Sequence, residues 1–479
     1  MSRLVVGPFN RVEGDLEVKL DIDQGRVSDA WVNCTLYRGF EQIMRGKPAA
    51  DALVLTPRIC GICSVAQSAA AARALAQLQG CVVPPNGERA ANLVQACENL
   101  ADHLSHFYLF FMPDFARPQY AGEPWYDDTA ARFRALKGSA ARQVLPARAA
   151  FLNLMGLMAG KWPHTLAIQP GGSTRAIQPQ ERLRIVAILK TFRQFLEQAT
   201  FGDRLENVAD IADLTQLERW QQRHRDSDLG RFLGLSRALE LERLGRAADR
   251  FMSFGSYAES GTPLLRPGLW DGGWQALDTD QIREDVSCSW LQDSVPLAPA
   301  LGETRPQADK AGGYSWCKAP RLDGRVMEVG ALARQLVDGH PLAEALVADS
   351  GGNVRNRVVM RLLELARVLI QMEHWALALE PGEPFYRDGG EPRDGVGVGL
   401  VEAARGSLGH WVDLRDGKIH NYQIIAPTTW NFSPRDGDGQ PGALELALRD
   451  TPVQEGEVDP VAVQHVVRSF DPCMVCTVH

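Results

Sequence analysis

Two pairs of cysteines carry the first chemical signal in this sequence. Arg58-Ile-Cys60-Gly-Ile-Cys63 lies near the start, and Asp471-Pro-Cys473-Met-Val-Cys476-Thr-Val-His479 closes the chain. Two residues between cysteines let both sulfurs converge on one metal centre, because a turn or the first turn of a helix aligns them. Gly61 keeps the backbone small at that point. A helix opening after Cys63 would lower a thiolate pKa through its N-terminal dipole. Four thiolates in two pairs suit a soft or borderline metal, and zinc, an iron–sulfur cluster and nickel all remain open. The cysteine pairs of a zinc ribbon usually lie about 15–20 residues apart. Here almost the whole chain separates them, so the metal would sit in the middle of a large fold, which favours catalysis over stapling.

A site built from both ends constrains the elements between. At roughly 150 residues per domain, 479 residues would allow about three domains. Pairing the two ends argues instead for a single integrated unit over residues 1–479, with no linker long enough to separate beads. Residues 15–34 alternate apolar and polar positions about a turn at Asp23, Gln24 and Gly25, which reads as a β-hairpin. A second hairpin is expected at 408–426 around Asp416-Gly417. Between them the pattern is helical over 64–79, over 88–112 with Pro113 closing it, over 179–200 and over 355–380. Residues 256–320 are rich in Gly, Pro and Trp and read as irregular. The expected fold is therefore mainly α with peripheral β, an α+β protein with a large helical core and β-hairpins.

Composition narrows the setting. Hydrophobic residues at 45% and charged residues at 23% describe an ordinary globular protein. A net charge of −8 gives no reason to expect a nucleic-acid surface. Nine cysteines are too sparse for a disulfide scaffold, and the scattered Cys34, Cys81, Cys97, Cys288 and Cys317 fit a reducing cytoplasm. Pro8, Asn10, Arg11 and Glu13 interrupt any apolar signal core, and no run of about 18 apolar residues predicts a membrane span.

With its flanking residues the sequence resembles the large subunit of [NiFe] hydrogenases over essentially its whole length. Arg58–Cys63 matches the signature R-x-C-G-x-C, and Asp471–His479 matches D-P-C-x-x-C-x-x-H. Arg11-Val-Glu13-Gly14, Arg38-Gly-Phe-Glu41, Ala404-Arg405-Gly-Ser-Leu-Gly-His410-Trp411 and Pro427-Thr428-Thr-Trp430-Asn431 agree as well. The resemblance implies a buried Ni–Fe centre whose iron carries carbon monoxide and cyanide. Cys60 and Cys473 would be terminal nickel ligands, and Cys63 and Cys476 would bridge the metals. Glu13 matches the proton-relay carboxylate. Arg405 matches the arginine poised over the metals, Asp102 and Asp471 the carboxylates that hold it, and Thr428 a donor to a cyanide. Glu41 and His479 match ligands of a Mg2+ ion, with the Ile424 carbonyl as third. His103, His106 and His410 read as core histidines, and Lys161-Trp162-Pro163-His164 with Gly171-Gly172 as structural.

Departures from the common pattern point to one branch. Ile62 stands for valine, Gln67 and Asp15 for histidines, Phe110 for leucine, and Ala404 for proline. Ile62 and Phe110 are bulkier and would narrow a gas path, passing hydrogen more easily than oxygen. The set resembles hydrogen-sensing hydrogenases, whose chains typically stop at the histidine, as this one does. The expected function is heterolytic H2 cleavage by an oxygen-tolerant, low-turnover sensor. Its partners would be an iron–sulfur small subunit, since no other cysteine grouping offers a cluster site, and through it a sensor histidine kinase. Maturation proteins would insert nickel and iron. The alternatives are a catabolic H2-uptake enzyme, a complex I-like non-redox scaffold, and a structural zinc or iron–sulfur protein.

Overall fold

A computed structural model describes residues 2–479. The first hairpin forms as the alternation demands: β2 (Leu16–Asp23) pairs antiparallel with β3 (Arg26–Cys34), and Leu16, Val18 and Leu20 are wholly buried. Gln24 and Gly25 turn the chain with φ of 48° and 74°. A third strand, β1 (Ser2–Val6), adds to the free edge of β2. Its few residues were too short a run to show a period. The second hairpin is β5 (Gly406–Arg415) with β6 (Lys418–Ile425), joined at Asp416-Gly417. Again a strand was missed: β4 (Gly395–Ala403) pairs with β5.

That strand was masked by Gly395-Val-Gly397-Val-Gly399, which reads as loop. The glycines are there because α1 (Ser64–Gln79), rich in alanine, lies directly on β4. A Cβ on Gly397 would sit 2.3 Å from the Ala74 carbonyl oxygen, and one on Gly399 1.9 Å from that of Ala70. Backbone packs on backbone, and α1 is held where it carries the first cysteine loop. Gly399→Ala should therefore cost about 1–3 kcal/mol through overpacking. Gly156→Ala, where a Cβ meets nothing within 4 Å in a helix, should stabilise by about 0.5–1 kcal/mol. Thermal melting of the two variants checks the contrast.

The four expected helical segments form, with changes, and further helices stand outside them, among them Leu214–Arg223, Asp228–Ala238, Pro341–Ser350 and Val461–Ser469. The predicted helix ending at Pro113 is α2 (Pro85–Ser105), which widens into a π turn at His106–Phe111 and then a 3-10 turn at Met112–Ala116 that contains Pro113. Arg11 Nη1 takes the Phe110 carbonyl at 3.1 Å, and Phe107 and Phe111 pack edge-on against Phe232. These contacts turn the aromatic run out of α-helical register. The second change is a helix unforeseen because Pro146 interrupts it, α3 (Ser139–Ala159). Third, α4 (Pro179–Phe195) also ends in a π turn, Leu196–Phe201, and Leu183, placed on its inner face, is 68% exposed. The long helix α5 (Val354–Ala378) buries Val358, Leu362, Leu365, Leu369 and Met372 as expected, but also Arg357, Arg361 and Glu364. Glu364 accepts two bonds from Arg334 and one from His103 Nε2 at 3.1 Å, and Arg357 pairs with Glu328, while Arg361 donates to the Ser469 carbonyl. Residues 256–320 hold short strands, such as Ser256–Glu259 with Thr262–Leu265, and single 3-10 turns at Thr279–Gln281 and Pro299–Leu301. No helix among the described residues is long and apolar enough to cross a membrane.

The two ends meet. Glu13 forms a parallel bridge with Cys473, and Met474 N–H donates to the Glu13 carbonyl at 2.7 Å.

Candidate metal centre

Cys60 and Cys63 lie in the turn that enters α1, and Cys473 and Cys476 flank and join the short helix Met474–Thr477. Their four sulfurs lie within 4.8 Å of one another, all in buried residues and all as free thiols. Cys60 and Cys473 sulfurs are 3.5 Å apart, Cys63 and Cys476 3.1 Å, and Cys473 and Cys476 2.7 Å. Cys60 Sγ also accepts the N–H groups of Ile62 and Cys63 at 3.2 and 3.4 Å.

The charges fit a metal and little else. Contacts from the other three sulfurs, Cys473 first, and the nearby Arg405 hold the Cys60 thiol well below its ordinary value. The Cys63 thiol is pushed well above by its contact with Cys473, and burial pushes up those of Cys473 and Cys476. Holding several thiolates together in a buried site takes the positive charge of a bound metal group.

Arg38 staples the two loops. Its Nη2 donates to the carbonyls of Ile59, before Cys60, and of Val475, between the terminal cysteines. The sequence placed Arg38 in a motif without giving it a task. Arg405, buried beside the centre, donates from Nε to the Asp471 carbonyl at 2.9 Å and from Nη2 to Asp102 Oδ1 at 3.0 Å and Asp471 Oδ1 at 3.2 Å. Burial opposes the Asp471 charge, but Arg405, His106 and Arg361 outweigh it and hold that carboxyl below its usual value. Burial dominates at Asp102 and keeps it well above.

Glu13 is half-buried, its carboxyl raised by burial and then by the Cys60 charge. Thr428 Oγ1 accepts the Cys473 N–H at 3.1 Å, which leaves its own O–H free to donate. Gln67 Oε1 meets His410 Nε2 at 2.8 Å, and His410 Nδ1 meets the Tyr422 hydroxyl at 2.9 Å. Burial drops the His410 pKa to about 3, so it is neutral, and with both ring nitrogens engaged by Gln67 and Tyr422 it serves as a hydrogen-bonding wall rather than a ligand. Ile62 is half-buried between the first two cysteines, and Phe110 is half-buried in the π turn.

A second polar site adjoins the C-terminus. His479 Nε2 lies 2.7 Å from the Ile424 carbonyl oxygen and 3.5 Å from Glu41 Oε1, and its Nδ1 lies 2.9 Å from the Cys476 carbonyl. Nε2, the Ile424 carbonyl oxygen and Glu41 Oε1 thus converge on one buried point, two of the three being the oxygen donors that suit a hard cation. Burial works against the Glu41 charge, but Lys318, His479 and Thr304 lower its pKa to about 2. Lys318 Nζ sits 3.4 Å from both Glu41 and Glu284 and 2.7 Å from Gln423 Oε1. Sequence reasoning missed Lys318, Glu284, Gln423 and Thr304, which lie in the irregular stretch or on a strand and carry no spacing signal.

Residues 38–123 and 117–479 match the family of the nickel-dependent hydrogenases. The periplasmic [NiFeSe] hydrogenase large subunit of Desulfomicrobium baculatum is 30% identical over 100% of this chain and 95% of that one. The Hydrogenase-2 large chain of Escherichia coli K12 is 27% identical over 100% and 97%. The uptake hydrogenase large subunit of Rhizobium leguminosarum bv. viciae is likewise 27% identical, over 100% and 95%. Among solved structures, the reduced Ni-Fe-Se hydrogenase of D. vulgaris Hildenborough superposes with a TM-score of 0.84 at 31% identity, covering both chains completely. The H2-activated Dm. baculatum enzyme gives 0.87 at 29%, also complete on both sides. With four cysteines gathered from its two ends and its whole length matched, the chain belongs to the nickel-dependent hydrogenase family, as a large subunit with the fold of those structures.

Proposed function

We propose that this large subunit cleaves H2 heterolytically at a nickel–iron group held by Cys60, Cys63, Cys473 and Cys476. The observation that carries the reading is the cluster of four buried sulfurs, with Glu13 tied by its backbone to the Cys473 segment. When bound, the group supplies the electrophilic centre that polarises H2 and accepts its electrons; its iron would carry carbon monoxide and cyanide. Cysteine at all four positions provides an all-sulfur donor set. All four cysteines would hold the group.

The chain's own residues then handle the proton and the charge. Glu13, with its carboxyl raised toward neutrality, takes the proton. Arg405, its guanidinium held by Asp102 and Asp471, and Thr428, with its O–H unspent, would donate to anionic ligands of the group. Glu41, the Ile424 carbonyl and His479 Nε2 would hold Mg2+. The carboxylate and carbonyl oxygens suit a hard cation, and His479 Nε2 lies 2.7 Å from the carbonyl oxygen and 3.5 Å from the carboxylate. This reading takes residues 1–479 as one catalytic unit.

Electrons must leave through a partner. Among the described residues no second group of three or more His, Cys, Asp or Glu side chains gathers as a metal site. An iron–sulfur small subunit fits, and Arg58 and Gly61 are exposed beside the centre to meet one. Maturation proteins would load nickel and iron. The scattered free cysteines support a cytoplasmic site of action, although one relative is named as periplasmic. Nickel and iron analysis of the purified complex, with H2-dependent dye reduction, tests the activity; zinc without nickel would sink it.

The role we favour is H2 sensing, passed through the small subunit to a histidine kinase. Ile62, Phe110, Gln67 and Asp15 support it. If the two bulky side chains guard the gas path, Ile62→Val with Phe110→Leu makes H2 oxidation fail under air, while unchanged activity in air contradicts this. A second reading, an H2-uptake enzyme, is favoured by the names of the relatives. Kinase phosphorylation that follows H2 in a reconstituted mixture separates the two.

A further inference from the structure

Both cysteine loops are tied to one face of one helix. Glu98 and Asp102 stand four residues apart on α2, so they lie one above the other. Asp102 engages Arg405, which binds the Asp471 carbonyl two residues before Cys473. Glu98 reaches the other loop. Helix α1 begins directly after Cys63, and no side chain of its own caps it. Its first N–H groups would be orphaned in the core. Glu98 takes them: Val65 N–H lies 3.0 Å from each carboxylate oxygen, and Ala66 N–H 3.1 Å from Oε1. Oε2 also accepts the Ser64 hydroxyl at 3.2 Å and the Trp162 indole N–H at 2.8 Å. Ser64 Oγ in turn accepts the His164 N–H at 3.3 Å, and His164 Nδ1 meets the Pro57 carbonyl at 2.8 Å. The clamp thus grips the loop from residue 57 to residue 66, on both sides of the cysteines.

Every partner of Glu98 is a donor, and the residue is 2% exposed. Both oxygens must accept, so a carboxylate fits where a glutamine amide would set its NH2 against other donors. The positive end of the α1 dipole favours the same charge. Burial pushes the carboxyl up to about 7 against these bonds.

We propose that Glu98 is a positioning residue for the metal centre: as a carboxylate it fixes the Cys60–Cys63 loop, through α2, at a set place relative to Cys473 and Cys476. The inference rests on the metal reading above, but the clamp itself is made only of protein groups. Glu445 is the control. It is an equally buried carboxylate that accepts Val32 N–H, Gly442 N–H and the Tyr314 hydroxyl and touches neither loop.

The test uses the purified holoprotein with its partner and reads two things: hydrogen exchange at the Val65 and Ala66 amides, and the rate at which EDTA extracts nickel. Leaving buried donors unpaired in Glu98→Gln should speed both by about tenfold or more, while Glu445→Gln moves neither. Should Glu98→Gln fail to fold, Trp162→Phe removes one donor to the same carboxylate and should speed both by about threefold. Unchanged exchange and extraction in the folded Glu98 variant overturn the proposal, as does equal acceleration in Glu445→Gln. Unmodified protein without nickel contradicts the metal reading instead, and amide exchange alone then decides the clamp.

Discussion

Replacing Glu13 with glutamine is expected to lower H2 turnover by about 10²–10⁴-fold, the usual contribution of a positioned general base, with nickel and iron content unchanged. The change is nearly isosteric. The Glu13 backbone is fixed on both sides, by its N–H to the Pro472 carbonyl at 3.4 Å and by its carbonyl to Met474 N–H. The amide therefore occupies the same place without a proton to give or take. The wild-type carboxyl is suited to the task because burial and the Cys60 charge raise it, while Arg405 and Arg38 keep it from rising too far. H2-dependent dye reduction and H2/D2O exchange should fall together, since both need the proton to move. Turnover within about threefold of wild type would take Glu13 out of the proton path.

Arg405→Leu is expected to cost about 3–5 kcal/mol, because it strands buried carboxylates without their cation. Asp102 and Asp471 are each only 2% exposed and share this one guanidinium. Arg405→Lys keeps the charge but cannot direct Nε to the Asp471 carbonyl and Nη2 to two carboxylates at once, so an intermediate loss is expected. Adding Asp102→Asn to the leucine variant should restore part of the stability, since it removes one of the two buried carboxyls left without their cation. Thermal melting and nickel content of the three variants check this order. A leucine variant that melts with wild type would mean the pair is not carrying the C-terminal loop.

The chemistry was legible in the sequence and its scaffolding was not, for physical reasons. Four cysteines in two C-x-x-C pairs are local spacings, and each short spacing forces a local geometry. The hairpins at 16–34 and 406–425 were legible because a buried face imposes a period of two and Asp-Gly marks a turn. Strand β4 was not, because its glycines answer to the Ala70 and Ala74 carbonyls of a helix more than 300 residues away. The aromatic run after α2 was read as continuous helix because periodicity cannot show that Arg11 claims the Phe110 carbonyl. At the site, Arg38 and Lys318 act through carbonyls and carboxylates brought together only by the fold. Glu98 left one readable trace, its spacing of four from Asp102.

The most direct test of the central claim is an infrared spectrum of the purified protein alongside its metal content. The account predicts bands of metal-bound carbon monoxide and cyanide with nickel and iron in equal amounts, all lost in Cys476→Ser. Zinc in place of nickel, or a metal-loaded sample with no such bands, would contradict it.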